Sequence, residues 1–499
     1  MSKLTSLAKE TAIYGVSSIV GRFLNYLLVP LYTTQLVVSG GGYGIVTNVY
    51  SYVALLLVIL TYGMETGYFY FANQKENDNR EVYGTSLVSL ATTSSLFFLL
   101  ILIFLNPIAT TLGYESHPEF IVIMSFVVGM DAFMALPFSH LRFEKRPIRF
   151  ATLKLLFIVC SITFNLFFLL GCPWLMEHAP ATVSWFYNPN YKVGYIFIAN
   201  LMATGIQMIA FLPHLIHTHW AFSRQLFKRM LSYSFPILIL GIVGILNRTV
   251  DKMLFPYIYP DREQAMVQLG IYGACVKVAM IMAMLLQAFR YAYEPFVFGQ
   301  KKTGDEAAKK TYSDAMKYFL IFSLLAFLCV VCYIDLLRYL ISPDYWQGLR
   351  VIPIVMIAEM LVGVYFNLSF WYKLINRTSW GAYFSLAGCI VIIAGNFLLV
   401  PHYGYMGSAW SSVAGYMVIT LLSYFVGQHY YPINYPLRSI AIYIFMTVVI
   451  FICYQYITID NLLLRVFVKT LLLIPFVWYL LKVDLPINKI LRKLHVTSH

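Results

Sequence analysis

Long apolar stretches recur along the whole chain and are separated by short polar segments. A helix needs about 20 mostly apolar residues to cross the hydrocarbon core of a bilayer, and fourteen stretches reach that length. Glycine, proline and asparagine lie between them, as is typical of turns. The pattern predicts an all-α polytopic membrane protein with 14 transmembrane helices. The stretches cover residues 11–37, 43–71, 83–105, 118–139, 151–171, 193–213, 231–255, 267–296, 313–337, 349–372, 381–400, 407–427, 439–457 and 463–481.

Lysine and arginine are distributed unequally between alternate loops. The loops on the side of the N-terminus hold 22 of these residues, whereas the opposite loops hold only Lys192, Arg262 and Arg338. Loops that stay in the cytoplasm are enriched in lysine and arginine. One missed helix would invert every later loop, so this bias supports an even number of spans. We therefore expect both termini in the cytoplasm.

The composition excludes a water-soluble globule and explains the net charge. Of the 499 residues, 60% are hydrophobic and 11% are charged, against about a quarter charged in soluble domains. The net charge of +13 follows mainly from the basic loops, which are too short to form a nucleic-acid-binding module. The longest predicted outer loop, residues 172–192, is too short for a catalytic domain. We expect the chain to act within the membrane, with no catalytic residues.

A weak internal repeat relates the two halves of the chain. Tyr43-Gly44-Ile45 opens the second stretch and Leu269-Gly270-Ile271 opens the eighth, 226 residues later. Ile19-Val20-Gly21 and Ile242-Val243-Gly244 are related by a similar offset of 223 residues. Both offsets span six helices, and an even number of helices keeps the two halves in the same orientation. Transporters contain repeats related in this way by an axis along the membrane normal.

Charged residues inside the predicted helices are the main candidates for function. Arg22 lies midway along the first stretch, with Asn25 about one turn later. In the seventh stretch, Asp251 and Lys252 follow Arg248 by three and four residues, which places all three on one helix face. A charge near the bilayer centre costs about 2.5–3.5 kcal/mol on insertion scales, so such residues usually pair or face a water-filled cavity.

The eighth stretch adds Lys277, followed by Arg290 and Glu294 four residues apart. One interpretation pairs each arginine of the seventh and eighth stretches with the carboxylate on its own helix. That pairing leaves the other three cations without a carboxylate nearby in sequence. The alternative is a hydrated cationic cavity that receives an anionic group such as phosphate or pyrophosphate. The candidate substrate-binding residues are Arg22, Asn25, Arg248, Lys252, Lys277 and Arg290.

Carboxylates in the middle of apolar stretches are candidates for coupling transport to an ion gradient. Asp131 and Glu359 lie mid-stretch, where protonation or ion pairing is nearly obligatory. Together with Asp251 and Glu294 they are the residues that a coupling proton or Na⁺ would bind. We expect no other cofactor and no metal site, and the sequence contains no Walker A motif for ATP. We expect four further cations to reach the membrane interface: Lys317, Arg350, Arg465 and Lys469.

The sequence resembles the polysaccharide-transport branch, with its O-antigen flippases, of the multidrug/oligosaccharidyl-lipid/polysaccharide exporter superfamily. The resemblance rests on fourteen spans, on the opening Thr11-Ala12-Ile13-Tyr14-Gly15 to Gly21-Arg22-Phe23, and on Val29-Pro30-Leu31-Tyr32. Tyr43-Gly44 and Asn247-Arg248-Thr249-Val250-Asp251-Lys252 complete it. It implies two six-helix bundles around a central cavity plus two C-terminal helices. The implied divisions are residues 1–225, 226–430 and 431–499.

The resemblance further implies a flippase, not an enzyme, in the bacterial inner membrane. Its substrate would be a polyprenyl-pyrophosphate-linked oligosaccharide for O-antigen, capsule or exopolysaccharide, moved by alternating access. Expected partners are membrane lipid and the polysaccharide polymerase and glycosyltransferases of the same pathway. Three alternatives stay open. A lipid II flippase shares the cationic cavity. A multidrug antiporter of the same superfamily would need an acidic cavity instead. The third alternative, a membrane glycosyltransferase or O-antigen polymerase, usually carries a large outer loop.

Overall fold

The computed structural model describes residues 26–216, 218, 220–299, 305–375, 377–457 and 459–485. Within these ranges the chain is helical and contains no strand. Twenty α-helices are connected by turns and short helical segments. They are α1 (Leu28–Gln35), α2 (Gly42–Thr61), α3 (Met64–Ala72), α4 (Asn79–Ile103), α5 (Leu105–Leu112), α6 (Glu119–Phe143), α7 (Pro147–Leu166), α8 (Cys172–His178), α9 (Pro180–Val183), α10 (Lys192–Ile216), α11 (Arg224–Ile258), α12 (Arg262–Gly299), α13 (Asp305–Cys332), α14 (Ile334–Leu337), α15 (Ile352–Leu368), α16 (Phe370–Leu374), α17 (Ser379–Tyr403), α18 (Tyr405–Tyr430), α19 (Leu437–Gln455) and α20 (Leu462–Val483).

Thirteen segments of the described chain are long and apolar enough to cross a membrane. They coincide with the second to fourteenth predicted stretches, and the first of them joins α2 and α3 into one segment, Gly42–Ala72. Most of the first predicted stretch, residues 11–25, lies outside the described residues, and α1 lies at its end. The prediction of an all-helical, multi-pass membrane protein is confirmed.

The chain divides into two compact units. The N-terminal unit contains the described residues up to Ala274 together with Ser385–Gly415, and the C-terminal unit contains Cys275–Phe384 and the described residues from Tyr416 onward. Each unit has its own apolar core. In the N-terminal unit one core cluster includes Tyr68, Leu87 and Met134, all fully buried. The division predicted at residues 225 and 430 stays a prediction.

Close backbone contact between α2 and α12 organises one side of the N-terminal unit. A β-carbon added to Gly44 would lie 1.9 Å from the carbonyl oxygen of Met266, and one added to Gly270 would lie 3.0 Å from the backbone nitrogen of Gly44. Small residues allow membrane helices to approach this closely. The two glycines of the repeated Gly-Ile motif therefore contact each other across the helix pair.

Two ion-pair clusters hold α20 against the rest of the C-terminal unit. Asp335, which follows α13, accepts hydrogen bonds from Arg465 at 3.2 Å and from Lys469. At the opposite end of α20, Asp484 pairs with Lys317 of α13. Lys317, Arg465 and Lys469 therefore each have a carboxylate partner, and their location at the membrane interface stays a prediction. The Lys469 side chain is only 3% exposed. Its charge is tolerated there because Asp335, which is distant in sequence, is close in the fold.

Candidate functional site

The polar residues of the seventh predicted stretch lie in the C-terminal third of α11, a helix of 35 residues. Asn247 and Asp251 are buried, Lys252 is half-buried and the side chain of Arg248 is exposed. The spacing of three and four residues places the three charged groups on one side of the helix, as predicted. Around them pack α2 and the first part of α12, both from the same unit.

Asp251 is the centre of this group. Its carboxylate accepts hydrogen bonds from the Lys252 ammonium at 3.0 and 2.9 Å and from the Tyr272 hydroxyl of α12 at 2.9 Å. The same ammonium lies 5.2 Å from the centre of the Tyr272 ring and donates to the Arg248 carbonyl at 3.1 Å. The interpretation that gave Asp251 to Arg248, and so left no carboxylate for Lys252, is therefore wrong for this lysine. The lysine reaches the neighbouring aspartate because its long side chain folds back along the helix.

A proline one turn later explains a second contact, which the sequence reading missed. The carbonyl of Lys252 would normally accept the backbone N–H of residue 256, but Pro256 has none. Instead, the Asn48 side chain of α2 donates to that carbonyl at 2.9 Å, and its own oxygen accepts from the Tyr114 hydroxyl at 2.8 Å. Neighbouring side chains commonly serve carbonyls freed by proline in membrane helices. The sequence offered one signal for this contact, which is the presence of Asn48 within an apolar stretch.

Other predicted substrate-binding residues lie elsewhere in the described chain or outside it. Arg22 and Asn25 are outside the described residues, as is the side chain of Glu294. In the C-terminal unit, Lys277 is half-buried on α12. Arg290 is exposed on the same helix, and its guanidinium carbon lies 4.5 Å from the centre of the Phe366 ring. That these cations gather at one site with Arg248 stays a prediction.

The two mid-stretch carboxylates have different surroundings. Asp131 of α6 is half-buried and interacts electrostatically with Lys154 of α7 and with Tyr50 of α2. The Lys154 ammonium lies 4.0 Å from the centre of the Phe138 ring, so it is held within the unit. Glu359 of α15 has one buried carboxylate oxygen, Oε2, with no hydrogen-bond partner among the described residues. A buried acceptor without a donor is costly, and the coupling role of Glu359 stays a prediction.

No group of three or more histidine, cysteine or carboxylate side chains within the described residues could hold a metal ion. The site consists of cations, carboxylates and hydroxyl groups on apolar helices. Arginine can donate two hydrogen bonds to phosphate oxygens, while lysine supplies a point charge, and that this set binds an anionic group stays a prediction.

Comparison with known proteins identifies the fold. The family model described as "Polysaccharide biosynthesis protein" matches residues 7–295, and no curated protein matches the chain. Among solved structures, the chain is similar to lipid II flippase MurJ in its inward closed conformation, with a TM-score of 0.71 and 13% identity over 94% of this chain and 99% of that chain.

Multidrug transporters have the same fold. An inward-facing multidrug resistance MATE family transporter of the MOP superfamily gives a TM-score of 0.63 at 13% identity, over 82% of this chain and 94% of that chain. The MATE multidrug transporter DinF-BH gives a TM-score of 0.57 at 16% identity, over 84% of this chain and 94% of that chain. At these identities the likeness is one of fold.

Proposed function

The chain belongs to the polysaccharide biosynthesis protein family, whose model matches more than half of its length, and we propose that it is a flippase for polyprenyl-pyrophosphate-linked oligosaccharides. The family and the fold are those of membrane transporters of the MOP superfamily. In the proposed cycle the lipid tail stays in the bilayer while the glycan and its pyrophosphate cross through a cationic cavity by alternating access. No covalent bond is made or broken.

The observation that carries the proposal is the charge arrangement in the C-terminal third of α11. Two cations, Arg248 and Lys252, accompany one carboxylate, and that carboxylate is engaged by Lys252 and Tyr272. The arginine side chain is exposed, although its helix is apolar enough to cross the membrane. A charged residue on a membrane-spanning helix usually faces a water-filled cavity or pairs with another group. A pyrophosphate that moves out of water needs cationic side chains to replace its hydration.

The test is charge reversal at Arg248 in a strain that depends on this chain for surface polysaccharide. Arg248→Glu should abolish export of the glycan while the protein still reaches the membrane, because the reversed charge repels pyrophosphate. Lys228→Glu is the matched control: it makes the same charge change at an exposed position of the same helix, about 30 Å away at 1.5 Å per residue. Full export by the Arg248 variant would remove that residue from the substrate path.

A lipid II flippase is the second candidate, supported by the similarity of fold to MurJ. Both substrates contain a polyprenyl pyrophosphate, so the cationic residues do not distinguish them. An assay in which reconstituted protein is given each lipid separately would distinguish the two substrates. Translocation of the oligosaccharide lipid with no translocation of lipid II supports our assignment, and the reverse result supports the second candidate.

We further propose that an ion gradient drives transport and that Asp131 and Glu359 bind the coupling proton or Na⁺. Asp251 is the least suited of the predicted coupling residues, because Lys252 and Tyr272 already engage its oxygens. We place the protein in the bacterial inner membrane with both termini in the cytoplasm, in agreement with the bias of lysine and arginine. There it would receive substrate from glycosyltransferases and deliver it to a polymerase.

A further inference from the structure

A polar cavity of about 740 Å³ lies at one end of the N-terminal unit, where α4 begins and α6 and α10 end. Its wall includes Tyr83 of α4, His140 and Glu144 at the end of α6, and His214 of α10. The His140 ring is stacked on the Tyr83 ring at 4.0 Å, and the two imidazole rings are 5.3 Å apart. This cavity contains none of the residues assigned above to substrate binding or coupling.

The hydrogen bonds of His140 determine where its proton is. Nε2 lies 3.3 Å from Oε1 of Glu144, and Nδ1 lies 2.7 Å from the Tyr68 hydroxyl. A carboxylate only accepts hydrogen bonds, so in the neutral ring Nε2 carries the hydrogen and Nδ1 is the acceptor. The Tyr68 hydroxyl therefore donates to Nδ1. Tyr68 is fully buried, whereas the His140 ring is half-buried and lines the cavity.

The Tyr68 hydroxyl also has a second acceptor within reach. Oδ1 of Asn79, the first residue of α4, lies 3.3 Å from the same hydroxyl oxygen. A hydroxyl has one hydrogen to donate and can accept at the same time. The Nδ1 atom of His140 and the amide oxygen of Asn79 thus compete for one hydrogen.

We propose that His140 is a proton-binding site and that Tyr68 relays its protonation state to Asn79 at the start of α4. A proton from water in the cavity binds Nδ1, and the ring gains one positive charge. Nδ1–H then donates to the Tyr68 oxygen, and the hydroxyl hydrogen turns from His140 to Asn79. The ligand is the proton, and the relay connects the ends of α3, α4 and α6.

Burial of the ring is the largest opposition to a positive charge on His140. Among the neighbouring groups, Glu144 stabilises the imidazolium, whereas His214 and Arg146 oppose it. Arg149 and Arg146 similarly oppose a charge on His214. From the start of α4, Asp78, Arg80 and Tyr83 face the cavity. Two imidazolium rings 5.3 Å apart would repel each other, so the pair takes up its protons in separate steps.

Two buried polar atoms support access of water to this site. The Tyr83 hydroxyl and Nε2 of His214 have no hydrogen-bond partner within the part of the chain that the structure describes. Buried polar groups are almost always satisfied by protein or ordered water. Both residues line the cavity, so water there would serve them and would carry the proton to the neighbouring His140 ring.

The experiment follows the imidazole signals of the full chain in lipid nanodiscs by NMR as pH is varied, with His140→Gln to assign the resonance. We expect His140 to take up one proton as the pH is lowered from 9 to 3. Asn79→Ala removes the acceptor that the hydroxyl uses in the protonated state, so the midpoint should fall by about 0.4–1 pH unit, the effect of one neutral hydrogen bond. The control Asn73→Ala, whose side chain bonds its own helix, should leave the midpoint unchanged.

The relay itself is tested by combining variants. Asn79 has its effect only through Tyr68, so in a Tyr68→Phe background the Asn79→Ala change should no longer move the midpoint. An equal shift in both backgrounds, or no titration of His140 as the pH is lowered from 9 to 3, would overturn the proposal. Asn79→Ser provides a second variant if the alanine variant does not fold. Because the readout is proton binding, its failure leaves the proposed transport function untouched.

Discussion

The hydrogen bond from Asn48 to the Lys252 carbonyl gives the sharpest test of how α2 and α11 are held together. Asn48 is 2% exposed, and its amide replaces the backbone N–H that Pro256 lacks. Asn48→Ala should therefore destabilise the protein because a buried carbonyl loses its donor. Pro256→Ala supplies a backbone N–H at that position, so the carbonyl regains an intrahelical partner. The cost of Asn48→Ala should then be smaller.

The expected size of this coupling comes from measurements on membrane helices. Interhelical hydrogen bonds average about 0.6 kcal/mol in double-mutant cycles and reach about 1.7 kcal/mol. The Lys252 carbonyl is an otherwise unserved acceptor, which places this bond in the upper half of that range. We expect a coupling of about 1 kcal/mol, roughly a fivefold change in the unfolding equilibrium constant. The Tyr114 hydroxyl also loses its acceptor in the alanine variant, but this cost is common to both backgrounds and cancels in the cycle.

The assay is reversible unfolding of the full chain in mixed micelles, for the wild type, the two single variants and the double variant. Asn247→Ala is the matched control, because this buried asparagine of α11 donates to the Ser385 carbonyl at 3.1 Å. The free energy of unfolding lost in Asn247→Ala should therefore be the same whether position 256 is proline or alanine. A coupling below about 0.3 kcal/mol between Asn48 and Pro256, within the usual error of additivity, would refute the reasoning.

Three further expectations concern packing, ion pairing and coupling. Gly44→Leu should prevent folding because its β-carbon would lie 1.9 Å from a backbone oxygen. Gly205→Leu is the control, because nothing lies within 4 Å of its β-carbon. In size-exclusion chromatography only the control variant should give a monodisperse peak. Asp335→Asn should cost about 3–5 kcal/mol in unfolding experiments because it leaves a buried lysine without its carboxylate, and Lys469→Met in that background should restore most of the loss. Asp131→Asn should change the dependence of transport on pH or Na⁺ in vesicles, and an unchanged dependence would leave Asp131 with a structural role.

Much of the fold follows from hydropathy because the bilayer imposes a single length on every apolar helix. The second to fourteenth predicted stretches each correspond to one membrane-spanning segment of the described chain. The charge spacing on α11 was likewise readable, since residues three and four apart share a helix face. The glycine motifs at positions 44 and 270 were visible as a repeat, but their mutual contact was not.

The sequence by itself determined the number and approximate bounds of the helices, the alternation of basic loops and the presence of costly charges inside apolar segments. Only the tertiary structure decided the partners of those charges. Lys252 takes the carboxylate that sequence spacing offered to Arg248, with Tyr272 as a second donor from another helix. Lys469 is neutralised by Asp335, 134 residues away along the chain. Helix periodicity specifies neighbours within one helix, whereas contacts between helices depend on how their surfaces pack, which no local spacing encodes.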